Sequence, residues 1–76
     1  MTEAQLNTWI QNFEIEVESI QIEFDAFFLN RKIQDYYELK INRQSGYLSI
    51  DVFRREDLPA EIIDRLTVAY LNSKPK

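Results

Sequence analysis

The chain has no cysteine, no histidine, one glycine and two prolines in 76 residues, and its first thirty residues hold no lysine or arginine. Without cysteine there is no disulfide, no thiolate nucleophile and no cysteine-based zinc site. Without histidine the usual general base and the commonest transition-metal ligand are missing as well. A single glycine excludes the phosphate-cradling loops and dinucleotide fingerprints that need several. No apolar run approaches the roughly eighteen residues of a membrane span, and Met1-Thr2-Glu3-Ala4 lacks the basic start of a signal peptide. The expectation is a cytoplasmic chain that is not an enzyme, takes no cofactor or metal and does not meet a membrane.

What is present is acid. Glu3, Glu14, Glu16, Glu18, Glu23 and Asp25 precede Arg31, the first base, so residues 1–30 carry −6 and the remainder +2, giving the net −4. A bias this local speaks of partners more than of fold. Hydrophobic content of 45% with 13% aromatic residues is too high for a disordered acidic tail. One small domain over residues 1–76 is expected, with 72–76 as a frayed tail. A domain of this size has little core, and a homodimer would add some.

Thr2 and Gln5 have the spacing of a capping box. Leu6, Trp9, Ile10, Phe13 and Val17 then recur at three- and four-residue steps, which predicts a helix over Thr2 to Val17. Residues 14–28 admit two readings. The four-three spacing continues through Ile20, Phe24 and Phe27, as in one long helix. Ile20, Ile22 and Phe24 also alternate with Gln21, Glu23 and Asp25, as in a strand. The strand is preferred, because Ile15, Val17, Ile20 and Ile22 are β-branched, and Ile15 and Ile22 would fall on the wrong face of a helix.

Downstream, Tyr37, Leu39 and Ile41 alternate with polar residues, and so do Leu48, Ile50 and Val52. A Ser45-Gly46 tip predicts a hairpin with Ile41 opposite Ile50, Leu39 opposite Val52 and Lys40 opposite Asp51. With a turn over Leu29 to Lys32, Phe24, Ile22 and Ile20 would extend the apolar face as a third strand. Leu58-Pro59-Ala60-Glu61 predicts a helix start, with Ile62, Ile63, Leu66, Ala69 and Tyr70 as its stripe and an end near Asn72. The predicted fold is α+β: helix, three-stranded antiparallel meander, helix, with both helices on one face of the sheet. The alternative is a long N-terminal helix, a β-hairpin and a helix. The first order is similar to that of double-stranded RNA-binding domains. Those domains start their second helix with a lysine-rich run, where this chain has Glu56, Asp57 and Glu61 beside Arg54 and Arg55, so their function is not carried over.

On an extended segment Glu14, Glu16 and Glu18 share one face. Such a row could hold a hard cation, but it lacks the Asp, Asn and Gly of a calcium loop and reads better as a solvated acidic face. Phe27, Tyr36, Tyr47 and Phe53 fall on the nominally wet face of the meander, as cover for it or as an interface patch. Neighbouring carboxylates make nucleic acid a poor partner. The reading that follows is a protein-interaction module docking a carboxylate-rich face on a basic protein, as inhibitors of the immunity, antitoxin or anti-defence type would. Its expected partner-binding residues are Glu14, Glu16, Glu18, Glu23, Asp25, Tyr36 and Tyr47. The alternative is an assembly subunit or a secretion-type chaperone that works as a homodimer through an aromatic surface.

Overall fold

Thr2 starts the first helix in the computed structural model, which describes residues 2–42 and 44–75. The Gln5 amide N–H donates to Thr2 Oγ1 at 3.1 Å, and the Thr2 N–H donates to Gln5 Oε1 at 2.8 Å, closing the capping box. From there α1 runs over Glu3–Glu23 without interruption. Residues 20–23 are therefore helical, and the preferred third strand does not form. The four-three spacing prevails because one continuous stripe (Leu6, Trp9, Phe13, Val17, Ile20) is buried along the helix. Burying each such side chain yields about 1.5–3 kcal/mol, against a helix-propensity cost below about 0.7 kcal/mol for a β-branched residue. Ile15 and Ile22 do lie opposite the stripe, and they stay exposed.

The helix breaks at Phe24 (φ −105°, ψ 32°) and resumes as the single turn α2, Asp25–Phe28. Leu29 follows with φ 52° and ψ −111°, and the Arg31 N–H donates to the Phe28 carbonyl at 2.8 Å. This is the geometry of a type II′ turn with leucine at the position that normally takes glycine. Arg31 then caps α2: Nε donates to the Phe28 carbonyl at 3.3 Å, Nη2 to that of Phe27, and Nη1 to the Tyr36 hydroxyl at 3.0 Å. Its guanidinium also lies over the Phe27 ring. A 3₁₀ turn, Ile33–Tyr36, leads into the sheet.

The sheet is one antiparallel hairpin, β1 (Tyr37–Asn42) with β2 (Tyr47–Val52). Ile41 pairs with Leu48, Leu39 with Ile50 and Tyr37 with Val52, a shift of two from the predicted register. Asn42 explains the shift. Its Oδ1 accepts the N–H groups of Gln44 and Ser45, and its carbonyl accepts that of Gly46, which has φ 66°. An Asx-type loop thus replaces the two-residue turn. Because side chains alternate with a period of two, the shift leaves every residue on its predicted face. Lys40 now pairs with Ser49, and its Nζ reaches Asp51 diagonally at 3.6 Å.

After a 3₁₀ turn at Arg55–Asp57, α3 runs over Ala60–Asn72 with Pro59 at its N-cap. Both helices cover the apolar face of the hairpin. Phe13 meets Tyr37 edge-on, and the Tyr70 hydroxyl donates to the Leu48 carbonyl at 2.5 Å. The main core gathers Phe13, Val17, Ile20, Phe28, Ile33, Tyr36, Val52, Leu58, Ile62, Leu66 and Ala69, and a second cluster holds Leu6, Trp9 and Leu48. Of the tail expected to fray, Ser73 is buried and bonded to the Ala69 carbonyl, and Lys74 lies over aromatic rings. Lys76 lies outside the described residues.

Candidate protein-docking surface

The helical form of residues 14–23 redistributes the carboxylates. At about 100° per residue, Glu14 stands about 100° to one side of Phe13 and Glu16 about 60° to the other. Glu18 follows Glu14 by one turn, and Glu23 follows Glu16 by two. The single row expected of an extended segment is thus two rows flanking α1. Tyr37 packs on Phe13 beside the first row, and Arg65 of α3 pairs with Glu23 in the second.

Between the rows lies the outer face of α1, where Ile15 is 64% and Ile22 69% exposed. Two large aliphatic side chains two turns apart are thus bordered on both sides by carboxylates. No described residue forms an ion pair with Glu14, Glu16 or Glu18. Glu14 and Glu18, four residues apart, repel one another at a cost of about 0.2–0.5 kcal/mol. The last turn of α1 has no base to complement the helix dipole. The surface is therefore poorly arranged for the stability of the isolated chain.

Glu14 and Glu18 also form one wall of an open depression of about 750 Å³, completed by Gln21, Lys32, Gln34 and Tyr37. Gln21 holds the far wall in place. Its Oε1 accepts the Ile33 N–H at 2.7 Å and its Nε2 donates to the Arg31 carbonyl at 3.0 Å. Burial raises the Tyr37 pKa above the usual value, and the charge of Glu14 raises it further. Among the described residues no group of three or more carboxylates converges as a metal site.

Asp25 is exposed at the start of α2, beyond the kink that separates it from the two rows. Tyr36 is not a surface residue. It is 2% exposed, in the core beside Phe28, because residues 33–36 turn inward instead of beginning a strand. Tyr47 is 44% exposed and packs perpendicular to Trp9, at the end of the molecule where Tyr70 stacks on Trp9 and Lys74 lies over Tyr47. The two tyrosines thus form no common patch. Ile15 and Ile22 were absent from the sequence-based set. Their position opposite the stripe was visible, but it counted against a helix when it marked an exposed face.

No protein-family model, curated protein or solved structure matches this chain. Among the described residues, no helix is long and apolar enough to cross a membrane.

Proposed function

We propose that this chain is an acidic protein-interaction module that docks the outer face of α1 on a basic protein partner, as an inhibitor or regulator of the immunity, antitoxin or anti-defence kind. The observation that carries the reading is the exposed Ile15–Ile22 pair set between two rows of carboxylates, of which Glu14, Glu16 and Glu18 pair with no described residue. Apolar anchors supply affinity when a partner excludes water from them. The flanking charges steer the encounter and reject wrong partners. The same charges disfavour a second copy of this chain on that face, since an α1–α1 contact would bring carboxylates against carboxylates. An enzymatic role finds little support, because the 750 Å³ depression is open and holds two carboxylates, one lysine, two amides and a phenol. Size exclusion with light scattering, on the pure protein and on complexes from a lysate, tests the reading. A basic partner that co-elutes at low salt and leaves at high salt supports it. A salt-insensitive homodimer with no partner overturns it and favours the assembly-subunit alternative.

A further inference from the structure

We propose that Tyr47 and Trp9, with Tyr70 stacked on Trp9 as backing, form a binding cage for an alkylammonium group, and that the chain's own Lys74 occupies and covers it. The rings come from three elements that the fold brings to one end of the molecule. Trp9 lies in the first half of α1, Tyr47 opens β2, and Tyr70 is one turn before Lys74 at the end of α3. Tyr70 stacks on Trp9 with centroids 5.2 Å apart and planes at 25°, while Tyr47 meets Trp9 edge-on at 5.3 Å and 89°. The Lys74 Nζ sits 4.8 Å from the Tyr47 centroid and 5.8 Å from that of Trp9. Both distances fall within the range over which a ring quadrupole attracts a cation.

Two of the three rings, Trp9 and Tyr70, are fixed independently of the lysine. The Trp9 Nε1–H donates to the Tyr70 carbonyl at 2.9 Å, and the Tyr70 hydroxyl donates to the Leu48 carbonyl at 2.5 Å. With Trp9 and Tyr70 already bonded to backbone, that side of the cage is preorganised for its occupant. The ion pairs among the described residues join Lys40 to Asp51 and Arg65 to Glu23, and the Lys74 ammonium rests on aromatic faces instead. Lys74 is itself exposed and lies just past the end of α3, ahead of Pro75. It can leave the cage without unfolding a helix. The tail lysine thus acts as a tethered placeholder that an alkylammonium group on another molecule displaces.

Trp9 is the only tryptophan, so its fluorescence reads the cage directly and needs no knowledge of the docking partner. The probes are N-acetyl-lysine methylamide, choline and 3,3-dimethylbutanol, the neutral isostere of choline, titrated at constant ionic strength. They are added to the wild type, to Lys74→Ala and to Lys74→Ala with Tyr47→Leu, each confirmed as folded by circular dichroism. Saturable changes with both cations and none with the alcohol are expected. If Lys74 fills the cage nine-tenths of the time, the midpoint should be about tenfold lower in Lys74→Ala than in the wild type. Tyr47→Leu should abolish the response. A lower midpoint for the lysine derivative identifies a lysine side chain as the ligand, and a lower one for choline identifies a free quaternary amine. Equal responses to choline and the alcohol, equal midpoints with and without Lys74, or no saturable response would each overturn the proposal.

Discussion

Gln21 holds Ile33. The Ile33 amide donates to Gln21 Oε1 at 2.7 Å, and the same side chain returns a bond to the Arg31 carbonyl. One helical amide thereby satisfies one backbone N–H and one carbonyl of the connection between α2 and β1. Gln21→Ala leaves a half-buried donor and an acceptor without partners, at about 1–3 kcal/mol for such a group. Urea denaturation should show a loss in this range with an unchanged m-value.

Leu29 occupies the glycine position of its turn, with φ 52° and its side chain 72% exposed. A side chain in such a region costs about 1–3 kcal/mol, and little burial is lost by removing this one. Leu29→Gly should therefore stabilise the protein by about 1 kcal/mol, after allowing for the greater freedom of glycine in the unfolded chain. In a domain of this size that raises Tm by about 4–8 °C. A lower Tm would show that the leucine makes a contact outweighing its strain.

Tyr36 and Tyr47, paired by the sequence reading, should separate in experiment. Tyr36→Ala opens a cavity in the core and removes a partner of Arg31, and should cost about 3–5 kcal/mol by analogy with other large aromatic truncations. Tyr36→Phe, which loses only the hydroxyl, should cost about 1 kcal/mol. Tyr47→Ala should cost less than Tyr36→Ala, since Tyr47 is half exposed.

Tyr37 gives a pH dependence of definite sign. Its folded pKa is raised above 10.0, first by burial and then by Glu14. Above the unfolded pKa the folded state holds more protons than the unfolded one, so stability falls with rising pH. Melting temperatures should be flat in this respect below pH 9 and decline from about pH 10 upward. Tyr37→Phe should reduce the decline, and Glu14→Gln should lower the tyrosinate titration midpoint read by ultraviolet absorbance.

Much of the fold was legible in residue spacing. The Thr2–Gln5 cap, the stripe from Leu6 to Val17, the two alternating strands and the α3 stripe ending at Asn72 all follow from local periodicity. Residues 18–24 were not, because Ile20, Gln21, Ile22, Glu23 and Phe24 satisfy a period of two and a four-three spacing together. Only the packing of α3 and the hairpin against one long helix decides between them. The hairpin register depended on the Asn42 side chain capping its own loop, a bond that alternation does not encode. The candidate docking surface was half legible. Its acidity is plain in the sequence, but its shape changed once Glu14, Glu16 and Glu18 became helical, and Tyr36 was lost from it when residues 33–36 turned into the core.

The central claim is that Ile15, Ile22 and the carboxylates around them bind a basic protein. The most direct measurement is quantitative capture from a lysate on three folded baits: the wild type, Glu14→Lys/Glu16→Lys/Glu18→Lys, and Ile15→Ser/Ile22→Ser. Exposed positions should leave stability almost unchanged. The account predicts that the same basic protein is lost from both variants and is released from the wild type by salt. Its retention by both variants, at any salt concentration, would contradict the account.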